Sequence, residues 1–394
     1  MLQHLSKRLP VFVSGTKYCI FSFPRQSRSS FTVSVFCNLN RLSMSTDAVQ
    51  DFSKRFKESN ELVIGTHDGI FHCDELLACF MLQQLPRYAN ASIVRTRDSK
   101  LLDQCDIVVD VGAVFDREKN RFDHHQKSFN ETINSLQPEA KVKREIRLSS
   151  AGLIYNYFGE DVIREVLSQN SIKNPSEDMI RGVYRKVYDH FIAEVDAIDN
   201  GVPMFDGEPK YTINTHLSAR VGSFNPAWNE KVADTDLTKR FEKAKTYVGQ
   251  EFIDKVHYYA IRWWPARELV ENAVNKRLDV HNSGAILELE HFCPWKEHLY
   301  ELEEDYGITG LSKYVIYYNK ENDWRIICVP LQSASFVCRK FLAAPWRGQR
   351  DDELETISGI EGATFCHQTG FIGGNRTRQG ALQMAVASLE ATED

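Results

Sequence analysis

From residue 61 the chain alternates short β-rich runs with helical ones: ELVIGTH, DELLACFMLQQLP, SIVRTRD at 92–98 and DIVVDVG at 106–112. Parallel strands need a crossover between them, and crossovers are right-handed, so this order predicts a parallel sheet. DIVVDVG is apolar enough to be buried on both faces. The expected fold is α/β: a doubly wound, mainly parallel sheet, followed by a second, smaller α/β domain. Asp74 stands where it can cap the first helix, and Pro86 where it can stop it.

Residues 130–147 (NETINSLQPEAKVKREIR) are polar and read as a loop, after which SSAGLIYNYFGEDVIREVL resumes helical spacing. NPSEDM at 174–179 marks a helix start, and a helix from about 178 to 198 meets its stop signal at Asn200 and Gly201. KYVIYYN and WRIICVP form a hairpin around KEND, followed by a glycine-rich turn and a final helix. The body divides at this level into a catalytic domain over 61–228, a connecting helical segment over 229–260 and a C-terminal domain over 261–394.

Residues 1–46 hold six basic residues, nine serines and no Asp or Glu, which is how a mitochondrial transit peptide reads. A chain begun at Met44 would lack this leader. The whole sequence carries −6 and the leader +6, leaving the body at −12. That acidity argues against diffuse basic coating of nucleic acid and leaves room for a local basic groove. No apolar run approaches the roughly 18–20 residues of a membrane span. The nine cysteines form no CxxC pair and read as reduced thiols, with Cys73 a small buried filler.

The chemistry gathers at predicted strand ends. GTHDGIFHCDE supplies His67, Asp68, His72, Asp74 and Glu75 within nine residues, and DIVVDVG ends its strand at Asp110. In an open parallel sheet those ends line the ligand crevice. An unpaired carboxylate in an apolar run costs several kcal/mol, so Asp110 calls for a cation or strong donors. RFDHHQKSF adds Asp123, His124 and His125, and EVDAIDNG puts Asp196 and Asp199 three apart near a helix C-terminus, where the dipole disfavours anions. Carboxylates mixed with imidazoles suit two divalent cations, Mn²⁺ or Mg²⁺, better than a thiolate-rich structural zinc site. On an extended chain neighbouring side chains diverge, so His124 and His125 are not expected to share one ion.

HDGIFHCDE, VVDVG, FDHHQKSF and EVDAIDNG, in this order and spacing, resemble the motifs of the DHH phosphoesterase superfamily. More closely, the chain is similar to the Myg-type exonucleases, named for the melanocyte proliferating gene. The likeness continues through SSAGLIY, LSARVGSFNPAWN, CPWKEHLY, PWRG and GFIGGNRTRQGAL. It implies a 3′–5′ RNA exonuclease of mitochondria and nucleus with Mn²⁺ or Mg²⁺ as cofactor and RNA as partner. Carried over by motif, His67, His72, Asp74, Asp110, His124 and Asp196 would bind metal, with Asp110 bridging and Asp199 the rival of Asp196. Asp123 would orient His124, and His125 would face the substrate phosphate. The superfamily's usual DxD reads His72, Cys73, Asp74 here, which leaves His67 and Asp68 as competitors for one place.

On the substrate side, Gly373 and Gly374 precede a helix that starts with Arg376 and Arg378, a pattern able to cradle phosphate. Arg220 in SARVG and Arg347 in PWRG are weaker candidates, and the aromatic cluster around Trp263 and Trp264 reads as core. The same centre would serve a phosphoesterase of short oligonucleotides, cyclic dinucleotides or polyphosphate. A non-catalytic RNA-binding or ribosome-assembly factor is the reading from another class.

Overall fold

The computed structural model describes residues 61–392, apart from 141, 143–144, 170–171, 173, 320–322 and 334. The basic leader and Met44 lie outside the described residues. Two mixed five-stranded sheets organise the rest, as an α/β fold requires.

The first sheet comprises β1 (Val63–Thr66), β2 (Ser92–Arg95), β3 (Ile107–Val109), β4 (Phe115–Asp116) and β5 (Arg121–Phe122), in the order β2-β1-β3-β5-β4. All neighbours pair in parallel except β4 with β5. Alternation along the strands sends Ile64, Ile107, Val109 and Phe122 into the main core and Val63 and Val108 into a smaller cluster on the opposite face, beside Leu102. Because β1, β3 and β5 are adjacent and parallel, their carboxyl ends open onto one edge. Every site residue that follows those strands is thereby brought to one place.

Helices Cys73–Gln84, Ser150–Gln169 and Asp234–His257 cover the main face through fully buried Leu76, Leu77, Leu153, Ile154, Val248 and Phe252. The first helix starts differently from expectation. Its N-cap is His72, whose backbone N–H donates to both oxygens of Glu75 at 2.8 and 2.9 Å, so Asp74 is free of capping. The expected loop at 130–147 is also partly ordered: Thr132 caps a short helix, Ile133–Leu136, and Ile133 is buried. Helix Glu177–Val187 is capped by Ser176 and runs through a π-helical turn, Tyr188–Ile192, into Ala193–Asp199.

The second sheet holds β6 (Ile286–Leu289), β7 (Tyr314–Tyr318), β8 (Trp324–Cys328), β9 (Ala363–Cys366) and β10 (Ile372–Asn375), in the order β6-β7-β8-β10-β9. β7 and β8 are the expected hairpin, and only β6 with β7 is parallel. The glycine-rich turn is a strand instead. Gly373 and Gly374 sit inside β10, where a methyl at Gly374 would meet Thr364, Phe365 and Arg325 side chains at 2.7–2.9 Å. These glycines serve close packing within the sheet. Trp263 is buried and stacks on His298, as a core residue should.

No helix among the described residues is long and apolar enough to cross a membrane. The described cysteines are free thiols, and Cys73 is buried.

Gly249, on helix Asp234–His257, faces Phe80 of the first helix so closely that a Cβ would run into the ring. Alanine gains about 1 kcal/mol in helix propensity, whereas overpacking costs ~1–3 kcal/mol. Gly249→Ala should therefore lower the urea midpoint; a midpoint equal to or above wild type would show that Phe80 moves aside freely.

Candidate metal centre

Asp110 is the hub. It leaves β3 in the left-handed region, φ +57°, an uncommon conformation for a non-glycine residue, and it is almost fully buried. Its backbone N–H donates to Phe122 O at 3.1 Å, which ties the turn to β5. The two carboxylate oxygens face opposite ways. Oδ2 lies 3.3 Å from His67 Nε2, while Oδ1 lies 3.5 Å from His124 Nε2, 3.6 Å from His125 Nδ1 and accepts from Ser150 Oγ at 3.2 Å.

His67 follows β1 directly. Its Nδ1 donates to the Asp68 carbonyl at 3.0 Å, so a neutral ring presents the Nε2 lone pair to Asp110 and to Glu75 Oε1, 3.2 Å away. A lone pair facing two carboxylates is repulsive unless a proton or a metal ion sits between them. Burial opposes the charged ring, but the Asp110 and Glu75 carboxylates outweigh it and push the His67 pKa up to about 10. Asp68 points elsewhere: it is half exposed and pairs with Arg97. Glu75, given no role by the sequence pattern, joins His67, His72 and Asp110 in one set whose ligand atoms all lie within 4.8 Å.

The second side is built from Asp74, His124 and Asp199, again within 4.8 Å of one another. His124 Nε2 stands 3.1 Å from Asp199 Oδ2, and its pKa also rises to about 10, burial opposing and the Asp110 and Asp199 carboxylates prevailing. Asp74 is fully buried; desolvation, then the nearby Asp110 and Asp199 charges, hold its carboxyl well above the usual range. Asp196, the first choice over Asp199, belongs to none of the convergent ligand groups among the described residues. Ser149 donates to its Oδ1 through both N–H (2.9 Å) and Oγ (2.7 Å), and its carboxylate lies against the backbone of Gly152. Burial pushes its pKa up to about 7 despite those donors.

The two adjacent histidines divide differently from expectation. Their rings do not diverge: centroids are 4.5 Å apart, and both reach the same Asp110 oxygen. Burial separates them, His124 being 4% exposed and His125 61%. Asp123 also serves the other histidine. Its Oδ1 accepts from His125 Nδ1 at 2.7 Å and from the His125 backbone N–H, while Oδ2 accepts from Ala113 N–H at 2.6 Å. The bond to Asp123 raises the His125 pKa against partial burial.

The cluster fits metal ions on its own chemistry. Both oxygens of Asp74, Nε2 of His67 and both ring nitrogens of His124 are buried with no hydrogen-bond partner. The short contacts of His67 and His124 to carboxylates lack hydrogen-bond alignment even though they are 3.1–3.5 Å long. Two ligands adjacent on an octahedral ion at 2.0–2.1 Å are themselves about 3 Å apart, so these spacings suit groups converging on a shared centre. Two cavities, of about 440 and 620 Å³, meet there and share His72, Asp110 and His125 in their walls.

The predicted substrate residues of the C-terminal part are not in either wall. Arg378 pairs with Glu288 and Arg220 with Glu251 and Tyr247, while Arg376 is exposed on the surface. Arg97, which no sequence motif marked, lines the smaller cavity.

Residues 63–389, which span both sheets, match the profile of the MYG1 exonucleases, described as an uncharacterised protein family (UPF0160). The chain is 49% identical over 328 residues to the MYG1 exonuclease of Bos taurus, covering 83% of this chain and 84% of the relative. Identity to the Homo sapiens MYG1 exonuclease is 48% over 328 residues, 83% and 85% of the two chains. The MYG1 protein C27H6.8 of Caenorhabditis elegans is 46% identical over 336 residues, 84% of this chain and 96% of the relative. With a family match over residues 63–389 and identities of 46–49% over more than four-fifths of its length, the chain belongs to the MYG1 exonuclease family.

Proposed function

We propose that the protein is a 3′–5′ RNA exonuclease that hydrolyses phosphodiester bonds with two divalent cations, acting in RNA processing in mitochondria and the nucleus. The observation that carries the two-cation reading is the divided carboxylate of Asp110, one oxygen toward His67 and the other toward His124. The family's exonuclease name supports the reaction class. The basic, serine-rich leader supports mitochondrial import.

His67, His72, Glu75 and Asp110 would hold one cation and Asp74, His124 and Asp199 the other, with the second oxygen of Asp110 3.5 Å from His124 between them, Mn²⁺ or Mg²⁺ by donor type. Bound there, the pair would supply the charge that neutralises a phosphate and makes water a better nucleophile. The chain's own groups do the rest. Ser149 and Ser150 fix Asp196 and Asp110 from behind the site. Asp123 accepts a hydrogen bond from His125 Nδ1, which leaves Nε2 of the exposed ring for the cavity and raises the pKa of the ring. From there His125 can donate a proton to the leaving 3′ oxygen, a contribution of about 10²–10⁴-fold for a general acid.

RNA labelled at its 5′ end, incubated with the protein and Mn²⁺, should give a descending ladder, absent when the cation is omitted. Release of the labelled nucleotide first would reverse the polarity, and an uncut RNA beside a cut DNA would change the substrate. Asp110→Asn should abolish hydrolysis and weaken metal binding, whereas His125→Ala should retain metal and lose about 10²-fold or more in kcat. An empty site in His125→Ala, measured by metal content, would make this ring a ligand.

Proton linkage gives a further check. In the metal-free protein His67 and His124 are raised from about 6.5 unfolded to about 10 folded, so their stabilising contribution is complete below pH 6.5 and fades as pH rises toward 10. Metal ions must displace these protons. Mn²⁺ affinity should thus increase between pH 6.5 and 8.5 with proton release on binding, measured by calorimetry in buffers of different ionisation enthalpy. Pure proton-free binding would show that His67 and His124 are neutral before the metal arrives.

A further inference from the structure

We propose that Arg97 is the receptor for the phosphate next to the cleaved bond, so that the smaller cavity is a phosphate subsite; this rests on the exonuclease reading. Arg97 lies two residues past the end of β2, whose parallel neighbour β1 is followed by His67, and so reaches the same sheet edge as the metal cluster. It lines the cavity of about 440 Å³ together with His67, Gly112 and Ala113. It is the one Arg or Lys in the walls of the two cavities among the described residues.

Its own bonding leaves it available. The guanidinium is 64% exposed and approaches Asp68, itself 57% exposed, through Nε at 3.2 Å. An exposed pair of that kind contributes ~0–1 kcal/mol and is easily exchanged for a phosphate, which accepts a two-pronged grip from arginine. Arg95, two residues earlier, is the contrast: it is half-buried, donates to Gly69 O at 2.7 Å and lies over Phe71 and Phe241. It holds the β1 loop and has no freedom to bind ligand.

The two cavities differ in chemistry. The larger one is walled by Ile70, Phe71, Val195 and Ile198 beside the acidic cluster and offers no basic side chain other than histidine. An apolar wall suits the flat faces of a nucleoside. A strand crossing the junction at Asp110 and His125 would put its terminal nucleoside in the larger cavity, the scissile phosphate at the junction and the next phosphate at Arg97. In a body of net charge −12 this single placed arginine marks one phosphate position instead of a basic coat.

For 3′–5′ cleavage the phosphate next to the broken bond is the one on the 5′ side of the penultimate nucleotide. The test compares diadenylate carrying a 5′-phosphate with the same dinucleotide lacking it, in Mn²⁺, for wild type, Arg97→Met and Arg97→Lys. Wild type should favour the phosphorylated form by at least about tenfold in kcat/KM. Arg97→Met should erase the preference while staying within about twofold of wild type on the unphosphorylated form, and Arg97→Lys should keep part of it. No preference in wild type, a preference that survives in Arg97→Met, or an equal loss on both substrates would overturn the assignment. So would a wild type that cuts RNA and neither dinucleotide, because two nucleotides fill the subsites. A wild type that cuts no RNA at all brings down the exonuclease reading itself.

Discussion

Asp110, Asp74, Glu75 and Asp196 are carboxylates held out of water within one sheet edge, and the rest of the site is arranged around that cost. An unpaired buried charge loses several kcal/mol, more than an exposed ion pair can return. Burial pushes the Asp74 and Asp196 carboxyls above the usual range, while the anions around His67 and His124 pull their pKa values upward against burial. Asp110 adds a left-handed backbone, a cost of order 1–3 kcal/mol for a residue with a side chain. Divalent cations would offset the electrostatic part of this cost, which protons can do only in part.

The fold accounts for why this charge can be concentrated. Parallel β1, β3 and β5 deliver His67, Asp110 and the Asp123–His125 segment side by side, and the first helix returns Asp74 and Glu75 to the same edge. Helix Ala193–Asp199 closes the far side with Asp199. Behind them lies the buried apolar core, including Ile64, Val109 and Phe122 of the strands themselves. His125 is both tied, through Asp123, and open to the cavity, which suits it to proton transfer under the proposed reading.

Much of this was legible in the sequence because strand ends are legible. Apolar runs of four to seven residues followed by Asp or His gave the parallel sheet, its edge and the segments that meet there. What periodicity could not give was side-chain direction in the coil after each strand. His124 and His125 were expected to diverge as on an extended chain, but residues 123–125 have left β5 and both rings turn to Asp110. Asp196 and Asp199 share a helical face, and only the packing of Ser149 against Asp196 decides which one reaches His124. Gly373 and Gly374 looked like a phosphate loop because glycine pairs mark both turns and tight strand packing. Glu75 stands in the clustered motif without a ligand place and Arg97 goes unmarked for another reason: a capping glutamate and a strand-end arginine are ordinary in any α/β domain.

Electron paramagnetic resonance of the protein titrated with Mn²⁺ reaches the central claim most directly. Two ions sharing Asp110 should bind per chain and give the spectrum of an exchange-coupled pair, and Asp110→Asn should remove the coupling. A single uncoupled ion at saturation, or none, would contradict the account.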